Sequence, residues 1–594
     1  MKKLKYPLDS TDILKRKRQI KRELLASGAV FMEKRIAILS GSTIGDIKSV
    51  LELFLLDYDI APVFYEGEYS RYYEDALFEN SELYQFHPDI IYIHVSNKNI
   101  DEFPSISDDD ISLEHKLNKI YKKFETIWIE LMKRYNCIIM QNNFEYLPYR
   151  LLGNADVYNK YGKNNFINQL NSRLYEFAKN NHSFYINDIN YLASWYGLEK
   201  WFNQSHWYLY KYAFDINAIP LLCQNISKIV KSIYGKNKKV LAVDLDNTLW
   251  GGVIGDTGVE NIKIGEETPE GRAYADFQEY LKQVSELGIS INICSKNDEK
   301  TALSGFEHEA SILKKEDFLL IKANWADKSE NIIQITEDLN VGVNSVVFVD
   351  DNPAERALIR YNLPEVSIPE MTSPDDYVRI LDQQGYFETT SLLEEDVNRN
   401  ESYRANIKRN QLISNMKDYN GFLKSLNMKC YISRFNNSIV PRITQLINKT
   451  NQFNLTTKRV TENEIYEAAL ENSVISIAAR LSDKFGDNGI TSAVMVRIVD
   501  CEAIIDLWVM SCRVFKRNLE YAMFDELVRL CVLKGVKKVK GIYLPTTKNI
   551  IVEKLYENLG FRFDKSYENG TMWEYTIPME YKNKNQVMEV HYVE

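Results

Sequence analysis

Between Val240 and Gly252 the chain reads Val-Leu-Ala-Val-Asp-Leu-Asp-Asn-Thr-Leu-Trp-Gly-Gly, and this stretch narrows the choice of fold more than any other. Four consecutive apolar residues leave no polar face, the pattern of a strand covered on both sides by helices in a parallel sheet. Asp244 and Asp246 fall where that strand ends, and open sheets of this kind bind ligands beyond the carboxyl ends of their strands. Thr248 and a glycine-rich turn follow at once. Two carboxylates and a hydroxyl at such an edge suit phosphoryl chemistry. One carboxylate can attack phosphorus, the other can move protons, and a hard cation such as Mg²⁺ commonly takes one or two carboxylates plus substrate phosphate. Taken alone, an Asp-x-Asp pair also reads as a surface turn or a calcium loop.

Further apolar or largely apolar runs add to the pattern. Ile289–Cys294 ends in Ser295-Lys296-Asn297, Val346–Val349 ends in Asp350-Asp351-Asn352-Pro353, and Asn324–Lys328 opens a helical pattern between them. Three strands thus end in acid, hydroxyl and acid, with a lysine before the last. This order resembles the haloacid dehalogenase (HAD) superfamily at all four of its motifs. The resemblance implies Asp244 as nucleophile and Asp246 as general acid/base. It implies that Ser295 and Lys328 bind phosphoryl oxygens. The metal set would be Asp244, Asp350, Asp351 and Asp246, the last through its backbone carbonyl, holding Mg²⁺. Thr248, Lys296 and Asn297 are further candidates for substrate binding. Neither the stretch from Asp244 to Ser295 nor that from Ser295 to Asp350 has room for a separate cap domain.

The stretches Leu249–Gly255, Thr268–Gly271, Val349–Arg356 and Lys449–Thr456 further resemble the FkbH-like branch (subfamily IIIC phosphatase-like). That resemblance implies an enzyme that takes a glyceryl unit from 1,3-bisphosphoglycerate, a phosphorylated three-carbon substrate, loads it onto an acyl carrier protein with dephosphorylation, and serves polyketide biosynthesis. Two other readings stay open: a HAD phosphatase acting on a free small-molecule phosphate, and an acyltransferase working through the C-terminal part.

At 594 residues the chain exceeds what one core supports. The expected fold class is α/β in three domains. Residues 1–235 form an SGNH-like α/β domain, 236–385 a capless HAD Rossmann-like parallel sheet, and 386–594 a linker helix with a GNAT-like α+β domain. In the first, Arg35–Leu39, Asp89–Val95 and Cys137–Met140 read as strands. Ser40–Thr43 and Gln141–Asn143 follow two of them, which is similar to SGNH hydrolases. That family closes its site with an Asp-x-x-His pair; Asp188 and His206 lack the spacing, so a scaffold or carrier-docking domain is the preferred reading. In the third, Leu392–Lys417 reads as a charged helix. The strands and helices after it, with Leu555–Phe561, resemble the GNAT fold. Lys516 and Asn518 fill the small-residue positions of its pyrophosphate-binding turn, which argues against close backbone approach.

The net charge of −10 gives no electrostatic support to nucleic-acid binding. Carrier proteins are usually acidic as well, so docking one calls for a local basic patch. Arg513, Lys516 and Arg517 form a short cluster that could serve, or a solvated turn. The seven cysteines show no metal spacing and read as reduced thiols of a cytoplasmic protein. There is no apolar run of membrane-spanning length. Thioester chemistry would need a thiol, and Cys512, beside Arg513, Lys516 and Arg517, is the catalytic candidate because neighbouring cations favour the thiolate. Cys294 is the second choice, since strand alternation turns it away from Ser295.

Overall fold

The computed structural model describes residues 4–78, 81–414, 418–546, 548–567 and 569–593. The chain divides into two compact units, Met1–Ile233 with Thr461–Glu464, and Tyr234–Val460 with Ile465–Glu594.

The first unit is built on a five-stranded sheet. Its strands are β1 (Met32–Ser40), β2 (Ile60–Glu66), β3 (Ile90–His94), β4 (Ile138–Asn142) and β5 (Phe184–Asn187), in the order β2-β1-β3-β4-β5. All neighbours pair in parallel. β3 and β4 are buried along their whole length, as two-sided helical cover requires. The long helix Asp110–Tyr135 buries Phe124, Ile127, Trp128 and Leu131 on one stripe, an amphipathic spacing.

The second unit holds two sheets. In the first of them, β6 (Val240–Val243), β7 (Ser290–Ser295), β8 (Ile321–Ala323) and β9 (Val346–Val349) pair in parallel in the order β8-β7-β6-β9. Every residue of β6, β7 and β9 is buried. The connection from β6 to β7 carries only short turns and the helix Pro269–Glu286. That from β7 to β9 carries short helical turns, β8 and the helix Lys328–Leu339. The site therefore has no cap domain built from these connections.

The other sheet has eight strands: β10 (Met428–Arg434), β11 (Val474–Asp483), β12 (Gly486–Val499), β13 (Glu502–Met510), β14 (Lys538–Tyr543), β15 (Arg562–Tyr567), β16 (Gly570–Thr576) and β17 (Met588–Val593). Their order is β15-β16-β14-β13-β12-β11-β10-β17. β13 pairs in parallel with β14 and β10 with β17, and the other neighbours are antiparallel. The chain is thus α/β with two parallel sheets and one mixed sheet. The charged segment after the second sheet forms helices Glu394–Val397 and Arg399–Ser414; Asn415–Lys417 of the expected helix lie outside the described residues. Ion pairs fix this helix to the mixed sheet, since Arg409 reaches Asp483 at 2.6 Å with both side chains buried. Asn400 donates to Ser285 O (3.0 Å) and Ile289 O (3.3 Å) on the other side. Among the described residues, no helix is long and apolar enough to cross a membrane.

Candidate active site

The carboxyl ends of β6, β7 and β9 converge. Asp244 directly follows β6, its N–H donating to Val349 O at 2.9 Å, and Asp350 directly follows β9. Lys328 is the first residue of its helix and reaches across to both. Its Nζ lies 3.0 Å from Asp244 Oδ2 and 2.6 Å from Asp350 Oδ2, all three side chains being largely buried. Asp244, Asp350 and Asp351 each offer a carboxylate oxygen within 4.8 Å of the others. Asp244 Oδ1 is buried with no hydrogen-bond partner among the described residues. An orphaned carboxylate oxygen beside two more carboxylates is a donor set for a hard, oxygen-seeking divalent cation.

Three acids against one ammonium leave the cluster short of positive charge. Burial, and then the Asp244 charge, push Asp350 up to about 6 and raise Asp351 as well. Burial alone would discharge Lys328, but Asp244 and Asp350 outweigh it and hold the ammonium above its ordinary value. A bound dication would reverse this balance for the carboxylates.

Asp246 stands apart from the cluster. Its Oδ1 accepts from Trp250 Nε1 and from Ile254 N–H, both at 3.0 Å, and its Oδ2 accepts from Asn297 Nδ2 at 3.1 Å. Burial raises its pKa, opposed by the Ile254 N–H and the Trp250 indole. A carboxyl held in place and made easier to protonate suits proton transfer. Its side chain is not part of the three-carboxylate group, in keeping with an expected contribution to the metal through the backbone carbonyl alone.

The other expected residues lie close by. Asn297 donates to Asp246 and so helps to position the acid. Buried Thr248 accepts the Asp351 N–H at 3.2 Å and donates to Asp351 Oδ1 at 3.4 Å, tying the first motif to the fourth. Lys296 pairs with Glu355 at 2.8 Å and lies 3.8 Å from Asp327. Ser295 ends β7 and is buried beside the cluster's strands; its carbonyl accepts the Asn324 N–H at 3.1 Å.

Sequence reasoning missed several supports. Arg356 donates to the carbonyls of Asp350 (2.8 Å) and Asp351 (2.6 Å) and clamps their loop. Its presence in the Asp-Asp-Asn-Pro-Ala-Glu-Arg run was the available signal. Tyr377 donates to Asn247 O at 3.1 Å from so far along the chain that no local pattern points to it. Asn247 adopts φ +54° and Gly252 φ +98°, the left-handed geometry that lets the turn fold back so that Gly252 N–H reaches Asn247 Oδ1 at 2.9 Å. Trp250 is fixed in turn by Gly305, where an added Cβ would come within 2.6 Å of the indole.

Cys512 is corrected as a catalytic residue. Its carbonyl accepts from Asn340 Nδ2 at 2.6 Å, and Asn340 caps the far end of the 12-residue helix that Lys328 begins. That helix is about 18 Å long, so Cys512 lies at the opposite pole of the sheet from Asp244. Cys294 is buried with its sulfur 3.6 Å from Lys328 O, and burial pushes its thiol up. Arg517 is buried against Asp483 at 3.2 Å and Asn406 at 2.7 Å, which removes it from a docking patch. Lys516 and Asn518 both take positive φ, +60° and +61°, so the turn keeps a glycine-like backbone despite its side chains. In the first unit, Asp188 caps the helix Ile189–Tyr196 through Tyr191 N–H (3.0 Å) and accepts from Asn143 (2.7 Å). Among the described residues it makes no bond to His206.

Residues 51–231 match the family model described as FkbH, N-terminal domain. Among solved structures, the chain is similar to the N-terminal part of a Bacteroides fragilis protein containing a phosphatase domain, complexed with Mg. Identity is 29%, coverage is 64% of this chain and 99% of that one, and the TM-score is 0.58. It also matches the ribosomal-protein-S18-alanine N-acetyltransferase of Escherichia coli at 14% identity, with 26% of this chain and 99% of that one covered and a TM-score of 0.21. No curated protein matches the sequence significantly.

Proposed function

We propose that this chain is a Mg²⁺-dependent phosphoryl-transfer enzyme of the HAD type, working through Asp244. The observation that carries the reading is the arrangement of one lysine between two carboxylates, with a third carboxyl held apart on its own donors. The Bacteroides fragilis phosphatase domain, crystallised with Mg, supports the choice of metal. Asp244, Asp350 and Asp351 would hold Mg²⁺, which supplies charge neutralisation for the phosphoryl oxygens. Asp244 attacks phosphorus while the bond to the leaving oxygen breaks, giving an aspartyl-phosphate. Asp246 hands its proton to that leaving oxygen. It then takes a proton from the water that attacks the aspartyl-phosphate, so phosphate leaves and both acids return to their starting states. Lys328 fixes the orientation of Asp244 and screens the incoming negative charge, and Ser295 offers a hydroxyl to the phosphoryl oxygens.

The finer reading is glyceryl loading. A carrier-protein thiol attacks the acyl carbon of 1,3-bisphosphoglycerate, the acyl–phosphate bond breaks, and the remaining phosphate ester is removed at Asp244. The FkbH-type match over residues 51–231 and the lack of a cap domain in the connections of the four-stranded sheet support it. The test is intact-protein mass spectrometry of candidate acyl carrier proteins incubated with enzyme, Mg²⁺ and 1,3-bisphosphoglycerate, with Asp244→Asn alongside. A glyceryl mass gain without phosphate, dependent on Asp244 for the loss of phosphate, is the expected result. Phosphate release with no gain on any carrier would replace this reading with a phosphatase for a free metabolite.

A further inference from the structure

A second charged cluster lies within the second unit, at the amino end of β6. Lys239 immediately precedes that strand, and Arg399, Arg442, Lys449 and Arg513 gather around it. The carboxylates that reach them are Glu395 and Asp396. Asp396 is shared, pairing with Arg399 and lying 3.2 Å from Lys449 Nζ, while Arg442 Nε is 3.4 Å from Glu395. Among the described residues, two of the five cations pair with no acid. Among the described residues, the Arg513 guanidinium donates only to the hydroxyls of Ser511 (3.3 Å) and Ser402 (3.4 Å). Lys239 Nζ makes no ion pair or hydrogen bond among the described residues.

Five half-buried cations set against two carboxylates are unfavourable, because each gives up part of its hydration and the like charges repel. The same balance lowers their pKa values. Burial, with Arg399 among its neighbours, holds Lys449 down to about 8 in spite of Asp396. Burial and then Arg513 bring Arg442 to about 10. Burial, and after it the nearby cations, lower Lys239 and Arg513 as well. The group is not sealed: the Lys449 side chain retains 26% and Glu395 25% of their exposure, so a ligand has a way in. Guanidinium forks and ammonium groups converging with an excess of positive charge match the oxygens of phosphate better than a single carboxylate. Lys449 opens the Lys449–Thr456 stretch, which the site at Asp244 does not use.

We propose that Lys239, Arg399, Arg442, Lys449 and Arg513 form a second anion site that takes the phosphate group of a phosphate ester, at the opposite end of β6 from Asp244. It needs no metal and acts independently of the Asp244 chemistry. The excess cations are strained when the site is empty and relieved when phosphate fills it. Binding therefore stabilises the fold, by mass action on the native state.

The test is thermal unfolding of the full chain in EDTA with inorganic phosphate, 4′-phosphopantetheine and pantetheine, for wild type, Lys239→Gln, Arg513→Gln and Asp244→Asn. Phosphate and phosphopantetheine should raise the Tm of wild type and of Asp244→Asn alike, and pantetheine should not. Each of the cation variants should bind phosphate at least about tenfold more weakly, the effect of losing one charge-assisted hydrogen bond. Both should equal or exceed wild type in Tm without ligand, since each removes repulsion. A structural cluster behaves in the opposite way: the variants melt lower and keep the full phosphate shift. That outcome, the absence of any phosphate shift in wild type, or a shift lost only in Asp244→Asn overturns the proposal.

Discussion

Replacing Lys328 with methionine removes the one ammonium between Asp244 and Asp350 while keeping the bulk of the stem. In the native protein Nζ lies 3.0 Å from one carboxylate and 2.6 Å from the other. Lys328 is 3% exposed and Asp350 fully buried, so water does little to screen what remains. Removing one partner of a buried ion pair typically costs about 3–5 kcal/mol, and Lys328→Met should lose stability of that order without metal. The loss has a particular signature: two facing carboxylates attract a dication more strongly once the lysine is gone. Mg²⁺ should therefore raise the Tm of Lys328→Met more than that of wild type. Turnover tells the other half. Loss of one electrostatic contact to a transferring group costs on the order of 10²–10³ in rate, and phosphate release from a simple aryl phosphate should fall by that factor in saturating Mg²⁺. The assay is phosphate release with thermal unfolding, each with Mg²⁺ or EDTA. Undiminished turnover, or a Mg²⁺ shift smaller than that of wild type, would refute the electrostatic account of the cluster.

Three further outcomes follow from the same geometry. Asp246→Asn should slow phosphate release by about 10²–10⁴, the usual contribution of general acid–base catalysis. It should leave the Mg²⁺-induced rise in Tm intact, because the Asp246 carboxylate is outside the three-acid group; loss of that rise would make it a metal ligand. Gly305→Ala should destabilise by about 1–3 kcal/mol through overpacking, since its Cβ meets the Trp250 ring at 2.6 Å. It should also slow turnover as the Trp250 bond to Asp246 shifts, and an unaltered rate with lowered Tm would deny Trp250 that task. In the first unit, burial lowers the pKa of His94 to about 3, well below the ordinary 6.5 of an unfolded chain. The unfolded state then binds the extra proton first, so this contribution is complete above pH 6.5 and lost as pH falls towards 3. The slope is about 1.4 kcal/mol per pH unit. Acid denaturation of His94→Gln should show a shallower pH dependence in that window, and an identical slope would exclude His94 as its source.

The central sheet was legible because β6 and β9 are apolar runs that stop at an acid, and β7 is a largely apolar one, broken by Asn292, that stops at Ser295. Asp244, Ser295 and Asp350 are read directly from those stops, and Lys328 from the helix start between them. The division of labour among the carboxylates was less accessible. The Asp246 carboxylate stands outside the three-acid group because Trp250, Ile254 and Asn297 supply donors to it, and Asn297 comes from the bend that follows β7. Cys512 was misread for a related reason. Adjacency to Arg513 and Lys516 says which charges surround a thiol, but not which end of a sheet it occupies. β15, almost wholly exposed, lacks the alternating pattern by which a half-buried strand is recognised. The short β5 was equally hard to see.

The central claim is that Asp244 carries the phosphoryl group. Its most direct test is peptide mass spectrometry of enzyme quenched in acid during turnover with Mg²⁺ and 1,3-bisphosphoglycerate, using Asp246→Asn to slow breakdown of the intermediate. The account predicts phosphate on the peptide containing Asp244 and its absence in an Asp244→Asn control that also ceases to release phosphate. Sustained phosphate release by Asp244→Asn, or phosphate trapped on a different residue, would contradict it.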